Sequence, residues 1–190
     1  MKHSATRDFY AHWDEQRGEA KAPDRAALDL EPIRHLLADT FVLSFEAPLR
    51  LPVRVAGTRV AALIGAELKG RDFLDFWQDD SRDQLADLAA ITKDESLATV
   101  AGATAQTNRG TTLFLELLLL PFASRSYTQE AITGLMVPLT QPGFVGHETV
   151  THFTLTTWRH QGHQNLTLRQ RAVRRLALAK GLMVYEGLVG

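Results

Sequence analysis

Between residues 40 and 56 apolar and polar positions alternate one by one. In "TFVLSFE", Phe41, Leu43 and Phe45 fall against Val42, Ser44 and Glu46, the period of a β-strand. Ala47-Pro48-Leu49 reads as a turn. "RLPVRVA" over 50–56 then reads as a second, antiparallel strand, and Pro52 sets it at a sheet edge or at the strand's start. Three more strands follow at about 96–107, 111–122 and 130–140, the first two joined by the hairpin sequence Asn108-Arg109-Gly110. Past Gln141-Pro142-Gly143 the stretch "HETVTHFTLTTWRH" is β-leaning and rich in histidine.

Helical spacing governs the rest. A helix over 6–18 carries Phe9 and Trp13 at i, i+4 with Tyr10 beside them; Ser4 or Thr6 would cap it, and Gly18 and Pro23 end it. Pro32 suits the first turn of a short helix that buries Ile33, Leu36 and Leu37. Two short helices are expected at about 58–65 and 72–77. A longer one follows with Leu85, Leu88, Ala89 and Thr92 on one side, and Asp79, Asp80 and Ser81 are its candidate caps. At the end of the chain Leu168, Ala172, Leu176, Ala179 and Met183 make an apolar stripe, which predicts a helix over 167–185. Arg169, Arg171, Arg174, Arg175 and Lys180 cover much of its remainder.

The order is helix, two strands, three short-to-medium helices, three strands and a C-terminal extension. That is an α+β arrangement around a single antiparallel five-stranded sheet. The strand 111–122 adds a constraint. Leu113, Leu115, Leu117 and Leu119 point one way; Phe114, Leu118 and Leu120 point the other, with Glu116 among them. Both faces must therefore be covered. The inserted helices would cover one face, and the aromatic N-terminal helix or a second subunit the other.

Composition narrows the chemistry. The 190 residues are 45% apolar with a net charge of −1, which fits one globular domain and gives no global field to recruit nucleic acid or acidic membranes. There is no cysteine, which excludes disulfides, thiolate catalysis and cysteine-ligated zinc. The N-terminus lacks the apolar core of a signal peptide, and no apolar run is long enough to span a bilayer, so a cytoplasmic protein is expected. No serine sits in a nucleophile elbow, and "GTRVAALIG" lacks the glycines and the Lys-Ser/Thr ending of a phosphate loop. His147, His152, His160 and His163 cluster near the end, with Glu148 as the nearby acid. A strand would put His147 and His152 on opposite faces, so no metal site is expected.

The ordered set of motifs resembles a PAS domain, and more specifically a family of bacterial stand-alone PAS-like regulators. Its N-terminal part is Trp13, Arg17-Gly18, Pro23-Asp24-Arg25 and Glu31-Pro32-Ile33 with Leu36-Leu37. The middle part is Arg54, Gly57-Thr58-Arg59, Gly65 and Leu68-x-Gly70-Arg71, and the third is the strand "FLELLLLPF". The resemblance covers about 9–140. It departs at Leu30, which stands within Asp29-Leu30-Glu31-Pro32, and residues beyond about 140 have no counterpart in it. The expected organisation is therefore a PAS-like domain over 1–143 with its flanking helix, and an extension over 144–190 that carries the basic amphipathic helix read from the apolar spacing.

In such folds the second strand leads into short helices that wrap the pocket side of the sheet. Gly57 would permit the change of direction, Thr58 would cap the next helix, Gly65 would end it, and Gly70 would supply a second turn. Arg59, Lys69, Arg71 and Asp72 would be joints meeting water. The resemblance gives Val55, Ile64, Phe73, Phe76, Trp77, Leu85 and Leu88 as candidates to line a pocket for a small apolar ligand, with plain core packing as the other reading. Arg54, Arg59 and Arg71 would serve as caps and salt bridges or would contact an anionic ligand or partner. Phe9, Tyr10, Trp13, Leu168, Leu176 and Met183 are candidates for a homodimer or partner surface.

Cofactors follow from atoms that are absent. A cysteine-adduct flavin or a thioester-bound chromophore needs a cysteine. Histidine-ligated haem in this fold uses a histidine of the helical insertion, and none occurs between His35 and His147. The reading that results is a non-catalytic sensory or adaptor module acting on a signalling protein through contacts, open to gating by a small apolar ligand. One alternative is a small α+β pocket enzyme or carrier using Asp75, Asp79, Asp80 and His35 in acid–base chemistry. Another is nucleic-acid or lipid binding through the C-terminal basic helix, with Arg171, Arg174 and Arg175 on phosphates.

Overall fold

The two apolar faces of the strand at 112–121 set the architecture. A computed structural model describes residues 1–47, 50–123 and 130–161, and the backbone course alone of 174–179 and 182–186. The strands are β1 (Thr40–Ser44), β2 (Val53–Ala56), β3 (Ala98–Thr107), β4 (Thr112–Pro121), β5 (Ala131–Pro138) and β6 (Val150–Gln161). They form one sheet in the order β2-β1-β5-β4-β3-β6, every neighbouring pair antiparallel. The α-helices are α1 (Ser4–Arg17), α2 (Thr58–Ile64) and α3 (Asp79–Asp94), with short 3-10 turns at Arg25–Ala27, Arg34–Asp39 and Phe73–Phe76.

Each face of the sheet has its own core. Leu113, Leu115, Leu117 and Leu119 enter a large cluster beneath α2, the 73–76 turn and α3. Leu118 and Leu120 enter a smaller one beneath α1 with Phe9, Trp13, Ala98, Val100, Leu135 and Val137. The N-terminal aromatic helix of the same chain thus covers the outer face. Burying the four inner leucines is worth about 6–12 kcal/mol before entropy costs. At the end of the outer face Phe114 stays 58% exposed.

Several local expectations give way to other solutions. The sheet has six strands, because the His-rich stretch pairs along β3 as β6 and adds Phe153 and Leu155 to the inner core. Phe144 and Val150 belong to that core too, so the sheet domain runs past residue 143. The helix expected over 167–185 is replaced where the backbone is described. Arg174–Ala179 (β7) and Leu182–Glu186 (β8) pair as an antiparallel two-stranded sheet. The same sequence alternates as well as it spirals, with Leu176 and Leu178 set against Arg175 and Ala177.

Caps differ as well. His3, not Ser4 or Thr6, caps α1, its Nδ1 accepting from the Ala5 N–H at 3.1 Å. Gly57, not Thr58, is the N-cap of α2. Its φ of −68° is open to any residue, and glycine is needed there because a Cβ would collide with the Ala38 carbonyl. Gly65 ends α2 in the left-handed region at φ 76°, as its position predicts. Ser81 does not cap α3; it is buried, and its hydroxyl accepts the Leu155 N–H at 2.9 Å, tying α3 to β6.

Candidate functional site

The inner layer is where a pocket would lie. Ile64, Phe73, Phe76, Trp77, Leu85 and Leu88 all come together there, each at most 9% exposed and in one cluster with Phe41, Leu43, Met136 and Phe153. Val55 does not join them. It lies on the edge strand β2, 57% exposed. Four rings run in contact through the layer. Phe41 stacks on Phe73 at 4.8 Å between centroids, Phe73 meets Trp77 edge-on at 5.9 Å, and Trp77 meets Phe153 at 5.3 Å. The backbone holds this row in place, since Gln78 N–H donates to the Phe153 carbonyl at 3.0 Å. The buried indole N–H of Trp77 has no hydrogen-bond partner among the described residues.

Asp72 organises the insert and was not legible as such. The sequence places it at a joint meeting water, yet it is 4% exposed. Its Oδ1 accepts the Leu74 N–H at 3.1 Å, which starts the 73–76 turn, and the Leu51 N–H at 3.0 Å. Arg50 Nε lies 3.4 Å from its Oδ2. A short carboxylate that satisfies the amides of two separate segments fixes where the turn carrying Phe73 begins.

The three candidate arginines all have partners within the chain. Arg59 donates to both oxygens of Asp39, at 2.7 and 2.6 Å, and to the His35 carbonyl at 2.9 Å. Those bonds to Asp39 raise the guanidinium pKa above its ordinary value. Arg54 donates to the Ser44 hydroxyl at 2.8 Å and lies 3.5 Å from Glu46. Arg71 sits over the Phe76 ring at 4.6 Å. Beside β2 the surface holds two open depressions of about 170 and 360 Å³, which share Arg54 and Lys69.

On the outer face Phe9 and Trp13 are 2% and 3% exposed, so neither offers a surface while α1 is docked. Tyr10 is half-buried and stacks on Trp13 at 5.9 Å. The Trp13 indole donates to the Pro121 carbonyl at 2.8 Å. The first amides of the chain find Glu116, a carboxylate 4% exposed on a leucine strand. Lys2 N–H donates to its two oxygens at 2.8 and 2.5 Å, and His3 N–H lies 3.3 Å from one of them. Glu116, Asp72, Asp39 and Phe153 were missed as organising residues, because only the fold brings their partners near. Leu168 lies outside the described residues, and Leu176 and Met183 fall in β7 and β8.

The acid–base candidates do not converge. Asp75 pairs with Arg82 at 3.0 Å, Asp79 and Asp80 are exposed in the first turn of α3, and His35 is exposed beside α2. Among the described residues no three potential metal ligands cluster, and no helix is long and apolar enough to cross a membrane. His160 Nδ1 instead bonds the Thr99 hydroxyl at 2.9 Å, which bonds Thr92 on α3 at 2.7 Å.

Comparison with solved structures finds light-oxygen-voltage (LOV) proteins. One is the Rhodobacter sphaeroides LOV protein, at 15% identity over 60% of this chain and 70% of that one, with a TM-score of 0.43. Another is the aureochrome 1 LOV blue-light photoreceptor, at 15% identity over 59% and 89%, with a TM-score of 0.43. A fungal LOV domain photoreceptor matches at 15% identity over 60% and 81%, with a TM-score of 0.40. Comparison with curated proteins finds no match. The family model described as a PAS domain matches residues 1–137, from α1 through the five strands the sequence predicts, and the chain belongs to the PAS domain family.

Proposed function

We propose that this chain is a non-catalytic PAS-type sensory or adaptor module of a bacterial cytoplasm. It would regulate a signalling protein through direct contacts, alone or as a homodimer. The observation that carries the reading is the sheet's position as a shared wall. α1 packs on its outer face and the helical insert on its inner face, through alternate residues of the same strand, Leu118 and Leu120 against Leu117 and Leu119. A partner that favours one placement of α1 therefore biases the layer behind it.

Two further points support the reading. The carboxylates and the histidine of the enzyme alternative are dispersed, each exposed or paired at the surface. A cysteine-adduct flavin or a thioester-bound chromophore would need a thiol, and the chain has none. The residues of the inner layer do not fit a flavin or a haem, because Phe41, Phe73, Trp77 and Phe153 already contact one another across it.

Native mass spectrometry of the full chain purified from its source cells tests this reading, since it reports subunit count, retained small molecules and bound protein together. A stoichiometric protein partner that is lost on Trp13→Ala supports it. A chain without a protein partner that retains and converts a small molecule overturns it.

A further inference from the structure

We infer that the inner layer is a self-occupied site: the Trp77 ring, held between Phe73 and Phe153, stands where a planar heterocyclic ligand would otherwise lie. Three independent features point there. The row of rings crosses the layer from β1 to β6 without a break, with centroid spacings of 4.8, 5.9 and 5.3 Å, all within the range of aromatic contact. The floor is cut to seat its first ring: Gly134 on β5 faces Phe41, and a Cβ there would run into that ring. Trp77 also fills its place at a cost. Its indole N–H is buried with no partner among the described residues, and leaving such a donor unpaired is unfavourable.

The inference goes beyond the proposed partner contact and does not depend on it. A module filled in this way takes its input at the surface of the sheet rather than from a cofactor inside. Deleting the ring should leave a ligand-shaped vacancy, because close-packed interiors relax only in part around a lost side chain.

The test uses the full chain. Wild type is titrated with flavin mononucleotide, haem and indole, followed by flavin fluorescence, haem absorbance and thermal unfolding. Trp77→Ala is titrated with indole, and Trp77→Leu, which keeps part of the volume, with benzene, so that one variant remains if the other does not fold. Trp158→Ala, at a ring 46% exposed, is the control. The expected result is no uptake by wild type or by the control. In the Trp77 variants, probe at 100 times its dissociation constant should shift the folding equilibrium about 100-fold toward the native state. Stoichiometric uptake of flavin or haem by wild type would overturn the inference, and so would a folded Trp77 variant that its probe does not stabilise.

Discussion

The ring of Phe41 rests on the backbone of Gly134, its direct cross-strand partner between β1 and β5. Glycine is present for space, since no positive φ is found at this position. Gly134→Ala should therefore cost about 1–3 kcal/mol by overpacking. Phe41→Leu in the same chain should return part of that loss, because the smaller side chain gives the methyl group room. Urea unfolding of both single variants and the double variant checks this. Additive losses would show that the two positions do not compete for one space.

Glu116 offers a different kind of contact, a buried carboxylate receiving the first amides of the chain at the mouth of α1. The positive end of the helix and the charge favour one another. Glu116→Gln keeps the shape and turns one acceptor into a donor facing an N–H. The expected loss is about 1.5–3 kcal/mol, the range for hydrogen bonds to charged groups. Hydrogen exchange should rise first in the amides of α1, while those of β3 and β4 stay protected. A uniform rise across the sheet would mean that the residue supports the core as a whole and does not hold the helix in particular.

What the sequence revealed, and what it hid, divides along local and non-local physics. The alternation in 111–122 announced two buried faces, and the spacing of Phe9 and Trp13 announced the helix that covers one of them; both are short-range patterns. Gly65 and Gly70 announced their turns through the left-handed backbone they adopt, at φ 76° and 80°. Asp72 looked like a solvated joint because its second amide partner, Leu51, is 21 residues away. The sequence marks β6 as β-leaning but does not place it in the sheet, since the resemblance stops near residue 140 and nothing local says which strand it joins. The stripe from Leu168 to Met183 fits a helix and the alternation within it fits strands. Periodicity alone does not choose between them. Of the candidate pocket, Ile64, Phe73, Phe76, Trp77, Leu85 and Leu88 share one layer, whereas Val55, offered by the resemblance, lies exposed on the edge strand β2.

Arg59 distinguishes a structural arginine from one reserved for a ligand. It grips Asp39, whose side chain is 10% exposed, with a two-pronged contact, and so joins α2 to the turn before β1. Arg59→Ala leaves that carboxylate buried without its cation, and the expected loss is about 1–2 kcal/mol, kept small by the exposure of the guanidinium. Arg59→Lys should recover only part of it, because an ammonium cannot match both oxygens. Thermal unfolding of the two variants measures this. An unchanged midpoint in Arg59→Ala would assign the residue to a partner or ligand instead.

The last prediction concerns where the folding unit ends. β6 pairs with β3 from Val150 to Gln161 and buries Phe153 fully and Leu155 almost fully against α3. Without it, β3 becomes an edge whose inner face loses its neighbour, Trp77 loses the ring at 5.3 Å, and the Gln78 amide loses its acceptor. The exposed leucine-rich sheet would then be prone to aggregate. A chain stopped at residue 143 should therefore be insoluble or unfold without cooperativity, although it contains the whole span that the family model matches. A chain stopped at 161 should unfold in one cooperative step, as the full chain should, because the described cores lie entirely within it. Circular dichroism melts of the two truncations decide the point. A cooperative transition in the shorter chain would show that β6 is an accessory to the PAS domain and not part of it.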